Sequence, residues 1–382
     1  MPAPEPPTLS VVLFEAHRQQ TTNPKDAIYG IYSLLSALGI QLPTPDYAKP
    51  VAQIYTEAAQ MAILQNHRLD LLYQVASSRK IANLPSWVPS FNEYSTHYPY
   101  WKPEQFSCSK TSTATFEFKG ANTLSLLGKR VGTITATSQT VIGWTEAEEF
   151  DFTHNMGLDA GFLAIFEPYV NAYREWCSLA GTLTSYPTGE PVAVALRHTL
   201  VHDEPQRKGA HEAKWDAAMF EQGFDNWYLA CSAGLFPWST SIEVLGAVVA
   251  SRFLLPNKGL LAPFFNAHDR AHLAALKATL VYQIQAWLYA HQSTCAYAYM
   301  VQTRMRTSRL VVTAEGYLGT APPMARVGDG VVLVAGLALP MVVREDEGKG
   351  VASLVGPAYV HGMMDGERWP EEEGELEWIT LS

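Results

Sequence analysis

The sequence of 382 residues has few basic residues, which nucleic-acid binding would require, and few cysteines, which a disulfide framework would require. Lysine and arginine number 27 against 37 aspartates and glutamates, which gives a formal net charge of -10. Because phosphate binding needs clustered basic side chains, this balance argues against nucleic acid as a partner. There are only four cysteines, so distant from one another that neither a CxxC metal knuckle nor a dense set of disulfides is present. They are Cys108, Cys177, Cys231 and Cys295.

A secretory leader and a long apolar run are missing as well. The first residues, Met1 to Pro7, have neither the basic start nor the apolar core of a secretory signal. The longest uncharged apolar run, from Val331 to Val343, is interrupted by Gly336 and Pro340 and is too short to span a bilayer as a helix. We therefore expect a cytoplasmic protein with reduced thiols and no membrane partner.

The signature motifs of common enzymes are also absent. No GxSxG elbow, P-loop, kinase signature or GxGxxG after a strand occurs, and nothing demands a cofactor. His268 and His272 imitate the HExxH spacing of zinc helices, but Asp269 replaces the glutamate and no third ligand can be named, so we expect no metal. His198 and His202 share that spacing and are interpreted as part of a solvated segment.

The distribution of helical and strand patterns predicts the fold class. Hydrophobic residues make up 47% of the chain, which is enough for a sizeable core. Apolar residues recur at helical spacing over much of the chain, whereas β-branched residues dominate two separate regions. The prediction is an α+β fold: a mainly helical body with a mixed or antiparallel sheet formed by strands at about 115–137 and about 309–381.

The same patterns divide the chain into three sub-regions. Residues 1–150 contain helices and strands, residues 151–306 a helical middle, and residues 307–382 the C-terminal strands. Because the two sets of strands are distant in sequence, we expect one interleaved domain over residues 1–382.

Two local patterns near the start are specific enough to predict a structure. Asn23 can cap a helix in which Pro24 takes the first position, and Gly39 can end it. The segment from Leu84 to Ser90 cannot continue a helix through its two prolines, so it is predicted to cross the protein in extended form with Trp87 as a packing anchor.

Several segments, taken in order, resemble the fungal heterokaryon-incompatibility (HET) family. Residues 23–30, NPKDAIYG, look like the family's DPRDKVYALLGL stretch, residues 84–89, LPSWVP, are similar to its LPSWVPDW crossing, and residues 196–200, LRHTL, resemble its RTL element. The C-terminal part is similar to the family's GYLGLGP…GD…G…P…LR…LVGEAYVHGIMDGE pattern. The matching residues there are Gly316 to Gly319, Pro322, Gly328, Asp329, Gly336, Pro340, Arg344, Val355, Gly356 and Tyr359 to Glu367.

The resemblance covers nearly the whole chain and implies a particular part of the family's proteins. In this family the cell-death activity is attributed to an upstream effector domain, which carries a YxALSYxWG-like segment and is said to resemble the TIR fold. Nothing like that segment occurs here, so the resemblance implies the region downstream of the effector, with the effector domain absent. The shared glycines Gly319, Gly328 and Gly366 suit turns that need a positive φ, and we interpret them and His361 as structural rather than catalytic.

The most distinctive feature of the rest of the sequence is the high density of aromatic residues between positions 227 and 299. Aromatic side chains fill cores, but they also line pockets for apolar ligands. Tyr282, Gln285 and Tyr289 fall at i, i+3 and i+7 of a predicted helix, so they share one face and are the candidate catalytic residues. The candidate substrate-binding walls are Trp227, Trp238 and Trp287.

Two functions of different classes follow. The first is a cofactor-independent enzyme of fungal secondary metabolism, a cyclase, isomerase or pericyclase that folds a hydrophobic small molecule for a non-redox cyclisation or a Diels–Alder-type rearrangement. The alternative is a non-catalytic regulatory or recognition protein, derived from a heterokaryon-incompatibility (programmed cell death) system, that binds a protein partner. The aromatic middle and the missing effector segment favour the first, and the family resemblance favours the second.

Overall fold

The structure is a computed structural model in which several separate stretches of the chain are described. They are residues 9–17, 21–40, 42–75, 81–92, 103–139, 172–203, 221–225, 297, 300–301, 303–306, 308–346, 348 and 350–382. The chain divides into two compact units, each built from separate stretches of sequence. Unit 1 comprises Met1–Val141, Leu179–His202 and Met305–Ser382, and unit 2 comprises Ile142–Ser178 and Asp203–Arg304. The single interleaved domain expected from the sequence stays a prediction.

The helices of unit 1 lie mostly before its first strand. They are α1 (Leu9–His17), α2 (Asp26–Tyr29), α3 (Tyr32–Ala37), α4 (Val51–Asn66) and α5 (Val192–Val201), with 3-10 helices at Asp70–Gln74, Pro103–Gln105 and Glu373–Glu375. α4 starts after Pro50, whose extended backbone suits the residue before a helix, and it ends at His67 in the left-handed conformation. Its buried residues, among them Ala59, Ala62 and Ile63, recur at helical spacing and face the core.

The helix predicted to run from Pro24 to Gly39 is two short helices. Gly39 has a φ of 79°, as a terminating glycine requires, but Asn23 is not the helix cap. It accepts a hydrogen bond from the Lys25 N–H at 3.1 Å in the preceding turn, and α2 begins at Asp26 without a side-chain cap. The break between α2 and α3 falls at Gly30 and Ile31. Glycine is a weak helix former, and the helix is interrupted at Gly30. The apolar spacing nevertheless continues across the break, so the sequence pattern looks like a single helix.

The strands form one nine-stranded sheet among the described residues. They are β1 (Phe116–Phe118), β2 (Leu124–Thr137), β3 (Arg309–Thr313), β4 (Leu318–Ala321), β5 (Gly330–Val334), β6 (Met341–Asp346), β7 (Val351–Pro357), β8 (Tyr359–Val360) and β9 (Glu377–Leu381). Every pairing is antiparallel except that of β7 with β9. The sheet is therefore mixed.

Five of these strands close on themselves. β2 pairs with β5, β5 with β6, β6 with β7, β7 with β9, and β9 again with β2. β2 is 14 residues long and pairs along both of its edges, and its register shifts between Arg130 and Gly132 and again between Ile134 and Ala136. From Ile134 onward it pairs with β3, which leads through β4 to β8. Unit 1 is thus a small barrel extended by an antiparallel ribbon.

The core of unit 1 lies between this barrel and the N-terminal helices. All five residues of β5 are buried, which is the pattern of a strand covered on both faces. Apolar side chains of α4, such as Ile54 and Tyr55, belong to the same buried cluster as Val332 and Val334 of β5. The sheet therefore organises the core, and the helices cover it.

The prediction of a mainly helical body is wrong. The structure has 32% helix and 23% strand, with the nine-stranded mixed sheet described above. Helical periodicity is a property of neighbouring residues in the sequence. The barrel, in contrast, is formed by pairing between strands that are about 250 residues apart, for example at Leu124 and Leu381. Contacts between such distant segments leave no trace in a local pattern.

One of the predicted turn glycines also has a different role. Gly328 and Gly366 have positive φ values of 93° and 85°. Gly319 instead lies within β4, where a Cβ atom would stand 2.5 Å from the backbone oxygen of Tyr359. The absence of a side chain at Gly319 therefore allows β8 to approach β4 closely, and Gly319 does not form a turn.

In unit 2 the described residues include buried aromatic side chains. Tyr173 and Trp176 have no exposed surface, and their ring centroids lie 6.5 Å apart at nearly a right angle. Phe224 and Tyr297 make a similar edge-to-face contact at 5.5 Å. These pairs have the geometry that aromatic rings prefer in protein cores.

Candidate functional site

Histidine, tyrosine and glutamate side chains gather where α5 packs beside β4 and β8. α5 follows Pro191, which has an extended backbone, and ends at His202, which has a φ of 54°. His198 and His202 are four residues apart and therefore lie on one face of this helical turn. Their residues are only 5% and 2% exposed. The interpretation of this pair as part of a solvated segment is therefore wrong, because that face is covered by the sheet.

His361, which follows β8, is bonded through both ring nitrogens. Its Nε2 lies 2.7 Å from a carboxylate oxygen of Glu190, and its Nδ1 lies 3.2 Å from the hydroxyl oxygen of Tyr359. An ionised carboxylate can only accept, so we assign the proton of the neutral ring to Nε2. The Tyr359 hydroxyl then donates to Nδ1.

Ring stacking completes this cluster. The His198 and His361 rings are parallel within 8°, with centroids 5.3 Å apart, and the His202 ring stacks on Tyr359 at 4.6 Å. His202 Nε2 also lies 2.8 Å from the hydroxyl of Thr320 on β4. The α5 histidines thus contact both strands at this edge of the sheet.

Tyr186 fixes the backbone around the cluster. Its hydroxyl donates to the backbone oxygen of His361 at 2.8 Å and accepts from the Leu318 N–H at 3.2 Å. Its ring contacts the rings of Tyr317 and His361. One phenol therefore ties the segment before α5 to β4 and to the residue after β8.

The chemistry open to this cluster follows from its bonding. Glu190, His361 and Tyr359 form a chain along which a proton can be held. A general base, however, needs a ring nitrogen within reach of a substrate proton, and both nitrogens of His361 are bonded within the protein. Tyr359 has no exposed surface. The arrangement is suited to joining elements of the fold rather than to exchanging protons with a substrate.

A second constellation joins two residues of the C-terminal family-like pattern. Arg344 on β6 donates from Nε and from one terminal nitrogen to the two carboxylate oxygens of Asp329, each at 2.8 Å. The backbone N–H of Arg326 donates to the same carboxylate at 2.8 Å, and the Arg344 guanidinium also donates to the Met324 oxygen. The side chain of Asp329 is 3% exposed. This bidentate pair fixes the loop that enters β5.

The residues predicted to form a catalytic pocket lie outside the described residues. They are Tyr282, Gln285 and Tyr289, with the walls Trp227, Trp238 and Trp287. The histidines of the zinc-like spacing, His268 and His272, lie there as well. Their roles stay predictions. Within the parts of the chain that are described, no group of three or more histidine, cysteine, aspartate or glutamate residues is arranged to hold a metal ion.

Sequence reasoning missed Glu190, Tyr186 and Thr320 as partners of the histidines. Glu190 is 171 residues from His361 along the chain, so no spacing rule could connect them. The one available signal was that His361 and Tyr359 occur together in the family-like C-terminal pattern.

Comparisons with known proteins show what this chain is similar to. A model of the Het-6 β-barrel domain matches residues 271–376. Over 380 residues the chain is 25% identical to a protein of Neurospora crassa named heterokaryon incompatibility protein 6, OR allele. The chain thus resembles heterokaryon-incompatibility proteins, both in its C-terminal barrel region and over most of its length. The aligned region covers 91% of this chain but 49% of that relative, so the chain spans about half of the relative's length. No solved structure matches.

These comparisons confirm the predicted resemblance and correct the predicted function. The comparisons point to heterokaryon incompatibility and give no support to a secondary-metabolism cyclase, so that prediction is wrong and its alternative is better supported. Aromatic density misled the prediction because the same side chains serve cores and pockets. The matched domain also ends before β9 and leaves out β2, although both strands close the barrel of this chain.

Proposed function

We propose that this protein acts in fungal heterokaryon incompatibility as a regulatory or recognition module, which binds a protein partner and carries out no catalytic step of its own. The observation that carries the proposal is the similarity, over 91% of the chain, to a protein named for heterokaryon incompatibility.

The contacts in unit 1 support the non-catalytic part of the proposal. His361 and Asp329, polar residues of the family-like C-terminal pattern, are committed to bonds within the protein. A buried polar group that is fully bonded fixes a unique structure, which a recognition surface needs. The net charge of -10 favours a protein partner over nucleic acid.

The compartment is part of the same proposal. Among the described residues, no helix has both the length and the apolar character needed to cross a bilayer. Cys108 is a buried free thiol, which suits a reducing compartment. We place the protein in the cytoplasm, where the contents of two fused fungal cells meet.

A heterokaryon assay tests the function. The gene is introduced into a fungal host, and transformants are paired with strains that differ at incompatibility loci. The proposal expects slow growth or death of the fused cells in some pairings and normal growth in others. The control is a Gly336→Ala variant, whose barrel we expect to be destabilised and whose response should therefore be weaker. Identical growth in every pairing, with soluble folded protein present, would contradict the proposal.

A further inference from the structure

We propose that residues 84–89 form a strap that closes the barrel between β7 and β9, and that the barrel opens first along this seam. The register pairs show where the ring is weakest. β9 pairs with β2 through five residues, from Leu124 with Leu381 to Gly128 with Glu377. β7 and β9 share a single register pair, Ala352 with Leu381.

The strap supplies the bonds that the seam lacks. The Ser86 N–H donates to the backbone oxygen of Ser382 at 3.0 Å, and the Leu354 N–H of β7 donates to the Ser86 hydroxyl at 2.9 Å. Ser382 in turn donates its N–H to the Ala352 oxygen at 3.0 Å. Ser86 therefore bonds to both sides of the seam, and its hydroxyl takes the place of a strand carbonyl.

An apolar anchor holds the strap in position. Trp87 has no exposed surface, and its Nε1 donates to the Asn122 oxygen at 2.9 Å. Its ring centroid lies 5.7 Å from that of Phe118. Pro85 and Val88 are buried beside it. The strap therefore stays attached when the bonds of Ser86 break, so the seam can open and close around a fixed anchor.

Opening at the seam would separate β9 from β7 while the five pairs between β9 and β2 remain. It would uncover the edges of two strands, and an uncovered strand edge pairs readily with another extended segment. The strap is thus a built-in cover over an edge of the barrel, beyond the recognition role proposed above.

Amide hydrogen exchange of the full chain tests this inference residue by residue. The variant is Ser86→Ala, and the matched control is Ser125→Ala, which removes the 3.0 Å contact between Ser125 and Thr380 on the other edge of β9. The informative probe is the Ser382 N–H, because its acceptor is Ala352 rather than the mutated side chain.

We expect Ser86→Ala to accelerate exchange at Ser382 by about tenfold, because it removes the part-buried hydrogen bond of the Ser86 hydroxyl, while amides of β5 and β6 change by less than about twofold. Ser86→Thr, which keeps the hydroxyl, should restore slow exchange. Uniform acceleration over all strands, or the same effect at Ser382 from Ser125→Ala, would overturn the inference. If Ser86→Ala does not fold, the wild type still decides: exchange at Ser382 no faster than in β5 would also overturn it.

Discussion

Replacing Gly336 by alanine tests how tightly the turn after β5 is packed. Gly336 has a φ of 79°, and a Cβ atom there would stand 2.4 Å from the backbone nitrogen of Ala114. The left-handed conformation costs a non-glycine residue about 1 kcal/mol. Overlap with a fixed backbone, which cannot move aside as a side chain can, adds about 1–3 kcal/mol. The free energy of unfolding should therefore fall by about 2–4 kcal/mol.

Gly328 provides the matched control, since it has a φ of 93° and nothing within 4 Å of the position of its Cβ. Gly328→Ala should cost only the conformational part, about 1 kcal/mol. Urea unfolding followed by tryptophan fluorescence measures both variants, because Trp87 in the same unit is fully buried. Equal losses for the two variants would refute the argument from close packing.

Three further predictions concern buried polar groups. Asp329→Asn should lower the free energy of unfolding by about 2–4 kcal/mol, because it breaks the bidentate pair with Arg344. The loss is limited because the Arg344 side chain is about one-third exposed and can be partly hydrated. A loss of less than about 1 kcal/mol in a urea titration would contradict this. Tyr186→Phe should cost about 1–2 kcal/mol, since it removes both bonds of its hydroxyl, and an unchanged thermal midpoint would count against the bridging role. Burial raises the pKa of the Cys108 thiol well above its usual value, so the thiol stays neutral between pH 7 and pH 9. Its alkylation by iodoacetamide at pH 8, followed by peptide mass spectrometry, should require unfolding, and rapid labelling of the native protein would disagree.

Local chemistry predicted local structure well. The terminating Gly39 and the buried anchor Trp87 each follow from a preference that acts within a few residues. The helical pattern before Gly39 did not reveal the break at Gly30, because amphipathic spacing continues across it.

The barrel and the candidate site depend on contacts that no local pattern contains. β2 closes the ring against strands some 200 residues away or more, for example Gly128 with Val334, and its two register shifts are set by those partners. Glu190 meets His361 only because α5 packs beside β8. A helical face at His198 and His202 was visible from their spacing, but whether water or the sheet covers it depends on the tertiary fold.

The family-like motif residues gain a physical explanation from the structure. Asp329 and Arg344 form an ion pair, Gly319 allows β8 to approach β4, and His361 links the segment before α5 to β8. Each residue joins two parts of unit 1. A sequence pattern made of residues that connect parts of the structure identifies a fold, and it does not by itself identify a reaction.

The central claim is that the histidine cluster holds a recognition module together and performs no chemistry, and His361→Gln tests it most directly. Glutamine can still donate and accept hydrogen bonds, but it cannot act as a general base. The measurement is heterokaryon viability at equal amounts of folded protein, verified by circular dichroism at a temperature below the unfolding midpoint of the variant. We expect the variant to give the same incompatibility response as the wild type. A folded His361→Gln protein that has lost the response would contradict the claim and assign chemistry to this site.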